Sequence, residues 1–207
     1  GRSMRHALFI RATTPLLLLT VVLWSAFWFT PQAHARSLAT IVVSTCDESH
    51  LDAAITNASP GDTITFRCPS NPATIMLSST NNSRAALTIS KNLTLDGSGQ
   101  SVILDGGGHV SVLFVNGVQF TLKALTVAHG FGNLGGIGNY GGTVTISNST
   151  IANNTAPSGI GGGIGNYSGT VTISNSTIAN NTVSASGGGI GTIGGTVTIS
   201  NSTIANN

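Results

Sequence analysis

Charge is what this sequence has least of. Only 7% of the 207 residues are Asp, Glu, Lys or Arg, and their distribution is uneven. No Asp or Glu follows Asp105 and no Lys or Arg follows Lys123, so His129 is the one ordinary acid–base group from residue 124 onward. A polysaccharide lyase or glycoside hydrolase needs paired carboxylates, or carboxylate-bound calcium beside a base, on one face, and Asn, Ser and Thr cannot supply a general acid. The sequence therefore assigns no catalytic residue to the fragment. The alternative, a carbohydrate-active enzyme, would keep its site at the edge of the fragment or beyond Asn207.

Cysteine is scarce too. Cys46 and Cys68 are the only two. An oxidising compartment would let them pair, at a gain of about 3 kcal/mol from loop closure, and the competing reading is two buried free thiols. With no His or further Cys at ligand spacing, no metal is expected. Basic clusters are also missing. Beyond residue 35, Arg36, Arg67, Arg84, Lys91 and Lys123 stand against Asp47, Glu48, Asp52, Asp62, Asp96 and Asp105, five against six, a net charge near −1. The sequence pI of 8.8 thus owes much to the N-terminal segment, and nucleic-acid binding is not expected.

Long apolar runs are limited to one. Met4 leads through Arg5, His6 and Arg11 into an apolar block from Leu16 to Phe29, followed by Pro31 and Ala33-His34-Ala35. About 14 apolar residues fall short of the roughly 20 that span a bilayer, and a small-residue site follows them, so residues 1–35 read as a signal peptide rather than an anchor. This predicts an extracellular, cell-surface or outer-membrane location, with no membrane insertion within the mature fragment.

What the chain has in abundance is glycine, 27 residues of it, and internal repetition. Gly142 to Thr155 reads GTVTISNSTIANNT, Gly169 to Thr182 repeats all of it, and Gly195 to Asn207 repeats its first thirteen residues, at offsets of 27 and 26. The last copy stops in mid-repeat, which suggests a fragment open at its C-terminal end. Val144 and Ile146 alternate with Thr143, Thr145 and Ser147, the period of a strand with one buried face. Ile151 and the segment Gly161-Gly162-Gly163-Ile164-Gly165 add a second and third inward point. Three short strands per repeat describe a three-sided parallel coil. Equivalent positions should then stack: Val144 on Val171 and Val197, Ile146 on Ile173 and Ile199, Ile151 on Ile178 and Ile204. Asn148, Asn175 and Asn201 are expected to form an amide ladder.

Upstream, Phe120-Thr121-Leu122 with Val127 matches the repeat at an offset of 24, and Lys91 to Gly97 echoes Lys123 to Gly130. Val102 to Leu104 and Val110 to Val115 fit the same stacking. Asp47 to Asn57 places Leu51, Ala54 and Ile55 on one helical face before the Ser59-Pro60-Gly61-Asp62 stop, a short helix suited to cover the open first coil. Thr63 to Phe66 and Thr74 to Leu77 read as the first strands. The organisation is thus a signal peptide over 1–35, an N-terminal cap and first strands over 36–80, and coils over 81–207.

The run Leu51-Asp52-Ala53-Ala54-Ile55, Pro60-Gly61-Asp62-Thr63-Ile64, Leu93-Thr94-Leu95-Asp96-Gly97 and the Gly-Gly-Ile and Ser-Thr-Ile-Ala-Asn-Asn elements resembles bacterial right-handed β-helix surface proteins. It is also similar to the repeats of polymorphic outer-membrane proteins. The resemblance implies an all-β, right-handed parallel β-helix (solenoid) that serves as an adhesin-like scaffold. Its implied partners are extracellular glycans or a host or neighbouring cell surface.

Several motifs are read as turns. Asp96 and Asp105, the one candidate carboxylate pair, each precede glycine and are first of all turn formers. His109 and His129 are expected at surface turns. Gly136 to Gly141 matches G-x-G-x-x-G but lacks the following helix and acidic residue of a dinucleotide loop, and Gly162 to Asn166 lacks the Asp of calcium-binding repeats, so no cofactor is expected. The sequons at Asn148, Asn153, Asn175 and Asn180 are read as ladder and turn positions. Tyr140 and Tyr167, 27 residues apart, should stack and are the candidates for glycan contact.

Overall fold

The computed structural model describes residues 37–78, 85–185 and 187–207, so the expected signal peptide with its Ala33-His34-Ala35 site lies outside the described residues, as does Arg84. From Ser37 to Asn207 the chain forms one compact unit built of parallel strands in stacked coils.

Each complete coil visits three sheets in turn. Sheet one has seven strands, Thr40–Val43, Thr63–Phe66, Leu93–Asp96, Gln119–Lys123, Thr143–Ser147, Thr170–Ser174 and Thr196–Ser200, stacked in chain order. Sheet two has six, Ala73–Met76, Val102–Asp105, Leu125–Ala128, Thr150–Ala152, Thr177–Ala179 and Thr203–Ala205. Sheet three has five, Leu87–Ile89, Leu113–Asn116, Ile137–Tyr140, Ile164–Tyr167 and Ile190–Ile193. A short pair, Thr155–Ala156 on Thr182–Val183, extends one corner.

The expected columns form. Val144 pairs with Val171 and that with Val197, Ile146 with Ile173 and Ile199, and Ile151 with Ile178 and Ile204. Val144, Ile146, Ile151, Val171, Ile173 and Ile178 are fully buried, and each such side chain contributes about 1.5–3 kcal/mol. The diverged coils continue the columns through Phe120 and Leu122 to Leu93 and Leu95. The resemblance between Lys91–Gly97 and Lys123–Gly130 does not reflect stacking, because Leu93–Asp96 lies against Gln119–Lys123 while Leu125–Ala128 lies on sheet two. Strands on different sides of one coil share the same apolar alternation, so they look alike without being neighbours.

The first strand is Thr40–Val43, ahead of the two that the sequence suggested. The helix runs Glu48–Asn57 with Leu51, Ala54 and Ile55 buried. Asp47 caps it by accepting from the His50 amide at 2.9 Å, and hydrogen bonds from the His50 backbone and side chain and from Ser49 hold its carboxyl down at about 2. At the other end Lys91 Nζ donates to the Thr56 and Ala58 carbonyls. A disulfide joins Cys46 to Cys68, with Cα atoms 5.4 Å apart.

An amide ladder exists, but on other asparagines than Asn148, Asn175 and Asn201. Those three are exposed and sit at φ +49°, +48° and +48°, where Asn serves as a left-handed corner residue. The ladder belongs to the second Asn of each Asn-Asn pair, as Asn154, Asn181 and Asn207. Asn154 is fully buried. Its Nδ2 donates to Asn181 Oδ1 at 2.9 Å and to the Val127 and Ala152 carbonyls, and its Oδ1 accepts from the Gly130 amide. Asn181 repeats the pattern, donating to Asn207 Oδ1 and the Ile151 carbonyl. Room for these amides comes from glycine, since a Cβ on Gly136 would lie 3.0 Å from Asn154 Cγ and one on Gly163 would lie 2.9 Å from Asn181 Nδ2.

A second ladder links Asn139 to Asn166, each turned back on its own corner to the Gly142 or Gly169 carbonyl. A third links Ser149, Ser176 and Ser202, each hydroxyl accepting the amide of the coil before it.

Two outcomes follow from this wiring. Asn181→Ala removes the side-chain partners of the buried Asn154 backbone N–H and of the Ile151 carbonyl and should lower unfolding stability by about 3 kcal/mol, whereas Asn180→Gly, at φ +55°, should change it by less than about 1 kcal/mol; denaturant titration of both separates them. Replacing both Cys46 and Cys68 by Ser should cost about 3 kcal/mol in the same measurement, with the loss concentrated in hydrogen-exchange protection of the helix and the first strands.

Candidate functional site

Inward positions are filled by the columns and ladders, so any partner must meet the outward side chains. On sheet three these include three aromatic side chains. Tyr140 and Tyr167 are register partners, and their rings stack with centroids 4.3 Å apart at 26°. Phe114 meets Tyr140 edge-on at 5.3 Å and 74°. Phe114, Ala85 and Leu134 are buried and form a small apolar cluster outside the main core, with the two half-buried tyrosines against it.

The local cause is glycine on the strand. Gly138 is the register partner of Phe114, and its missing side chain leaves space that Leu134 occupies. Tyr140 has Tyr167 against one side and Phe114 edge-on to it, so the pair offers ring edges and hydroxyls more than open faces. Burial, followed by repulsion from and hydrogen bonding with Tyr140, raises the Tyr167 hydroxyl above its ordinary value. Two hydroxyls side by side on an apolar footing can accept and donate hydrogen bonds to a polar partner.

The carboxylates lie on separate sheets and each is occupied. Asp96, on sheet one, accepts the Ser98 amide at 2.8 Å and pairs with its register partner Lys123 at 2.9 Å. Burial works against its ionisation, but the hydrogen bonds from Ser98 and Lys123 outweigh it and hold the carboxyl below the usual value. Asp105, on sheet two, accepts the Gly107 amide at 2.8 Å and meets His129 Nδ1 at 2.9 Å. Both aspartates therefore close Asx-type turns and tie one coil to the next. His129 is an exposed turn residue at φ +51°, and His109 is exposed in the turn closed by Gly106.

An open cleft of about 200 Å³ lies on sheet one, lined by Gly61, Asn92, Leu93, Thr94, Gln119 and Thr121. The glycine-rich stretches are packing corners, where a Cβ on Gly136 or Gly163 would press on the carbonyl one coil away. The sequence pointed to Tyr140 and Tyr167 through their spacing. Phe114 lies within the run Val110 to Val115, but its contact with the tyrosines was not legible there, because its register partner in the next coil is glycine.

Searches against protein-family models, curated proteins and solved structures yield no match.

If Tyr140 contributes to the raised Tyr167 hydroxyl, Tyr140→Phe should lower the Tyr167 titration midpoint toward the ordinary value while leaving it still raised by burial. Ultraviolet titration of tyrosinate in the two proteins measures this, and an unchanged midpoint would assign the whole shift to burial.

Proposed function

We propose that this chain is an exported, cell-surface structural scaffold of the adhesin-like kind, wound as a right-handed β-helix. The observation that carries the reading is the use of the polar side chains. Asn154, Asn181 and Asn207, Ser149, Ser176 and Ser202, and the Asp96–Lys123 and Asp105–His129 pairs are all committed to holding one coil to the next. A coil stack that commits these polar groups, several of them buried, to self-cohesion suits a load-bearing role. Right-handed winding is the expected sense for strands joined to parallel neighbours in one sheet.

Export is supported by the disulfide and by the composition of residues 1–35. Among the described residues no helix is long and apolar enough to cross a membrane. The helix Glu48–Asn57 contacts the first strand of sheet one, which supports a capping role there. Glycans are the partner class that suits the Tyr140–Tyr167 hydroxyls, met along the ring edges.

Expression of the whole chain in a Gram-negative host tests the reading. The product should begin at Arg36, leave the cytosol and carry the Cys46–Cys68 bond. Retention in the cytosol with residues 1–35 intact would refute export. Release of reducing ends from a panel of polysaccharides by the purified protein would replace the scaffold with an enzyme.

A further inference from the structure

The outer face of sheet one carries a pattern that the scaffold role does not use. One threonine rank runs through every strand of the sheet: Thr40 pairs with Thr63, Thr63 with Thr94, and so on through Thr121, Thr145 and Thr172 to Thr198. A second rank lies two residues before it, at Gln119, Thr143, Thr170 and Thr196, and a third two residues after it, at Lys123, Ser147, Ser174 and Ser200. The strands Thr143–Ser147, Thr170–Ser174 and Thr196–Ser200 therefore each put out two threonines and a serine, in register and without a bulge. These outward side chains are exposed or half-exposed, while the valines and isoleucines between them point to the core in the first two strands and remain on the inner face in the third.

We infer that this face binds ice. Its hydroxyls form a two-dimensional net with about 4.8 Å between coils and about 6.6 Å along the strand, two residues at the parallel-strand rise. The coil repeat is close to the shorter oxygen repeat on the prism face of hexagonal ice, and the strand repeat falls short of the longer one by about a tenth, a mismatch small enough for a rank of two or three side chains to span. Threonine suits the task because its branched Cβ limits χ1, so every copy presents methyl and hydroxyl in the same sense on a backbone fixed by the ladders. The methyls order the first layer of water around them and the hydroxyls bond into it. Charge complementarity selects the partner. From Thr143 onward the face bears no ionisable group, so it has nothing to offer an ion or an acidic glycan, and an uncharged hydrogen-bonding lattice is its match.

Sheet two supplies an internal contrast. Its outward positions are Thr150, Thr177 and Thr203 followed by Ala152, Ala179 and Ala205, a single rank of hydroxyls with no second dimension.

The test is ice affinity of the full chain, read as thermal hysteresis, inhibition of recrystallisation and partition into a slowly growing ice hemisphere. The wild type should show all three. Thr172→Lys, in the middle of the net, and Thr172→Tyr should each reduce hysteresis several-fold, while Thr177→Lys on sheet two should leave it unchanged. Circular dichroism and thermal melting establish that each variant is folded, and the tyrosine variant keeps a good strand former at the site should lysine perturb it. Absence of hysteresis in the wild type overturns the proposal, as does equal activity in folded Thr172→Lys and Thr172→Tyr. Adsorption to insoluble cellulose or chitin, lost in the same variants and without ice affinity, would reassign the face to a crystalline polysaccharide. None of these results bears on export or on the coil-to-coil wiring, so the scaffold reading stands or falls separately.

Discussion

A buried amide has no water to bond with, and everything else in this protein follows from how that requirement is met. Asn154 finds its partners on the coil before, through the Gly130 amide and the Val127 carbonyl, and on the coil after, through Asn181. An unpaired buried donor or acceptor costs about 1–3 kcal/mol, so a coil that rotates or slides by one residue loses several such bonds at once. The apolar columns supply most of the cohesion, but they are tolerant: Phe120 stacks on Val144, and Leu122 on Ile146. The asparagines are not tolerant, and they hold the register that the columns then exploit.

That division explains which parts of the fold were legible in the residues. Period-2 alternation in Gly142–Ser147 and its copies identified the strands, and the offsets of 27 and 26 identified the stacking partners. The roles of the asparagines were not legible in the same way. Asn148, Asn153 and Asn154 are chemically identical, and only backbone conformation tells a left-handed corner at φ +49° or +59° from an inward-facing ladder position. A pairwise clue was present nonetheless: in Asn153-Asn154 and Asn180-Asn181 the first residue turns the chain and the second fills the corner. The disulfide could be read from the chain because few cysteines leave few options. The aromatic cluster could not, because Phe114 and Leu134 become neighbours of Tyr140 only after the glycine-rich corners fold onto sheet three.

Scarcity of charge has two faces here. Within the coils it allows identical side chains to be stacked at strand spacing, which like charges would forbid. Two of the aspartates pair with a side chain on the adjacent coil, Asp96 with Lys123 and Asp105 with His129. On the exterior the same scarcity leaves wide areas whose only language is the hydroxyl and the methyl. The upstream coils, with their aspartates, helix and disulfide, are chemically individual. The downstream ones are uniform.

Uniformity has its own hazard, and sheet three is where it is relieved. The first two full copies present Asn139 with Tyr140 and Asn166 with Tyr167, but the third presents Thr192 with Ile193. The amide chain therefore ends in a hydroxyl, with Asn166 Nδ2 donating to Thr192 Oγ1 at 3.3 Å. On sheets one and two the strands of the last three coils are identical, so any of them could be exchanged for its neighbour without loss of a contact between them. Along sheet three they could not, because a misplaced coil would set an isoleucine where a tyrosine's stacking partner belongs. The identical repeats thus carry a counting mark on one side, by which a folding chain can tell which coil it is laying down.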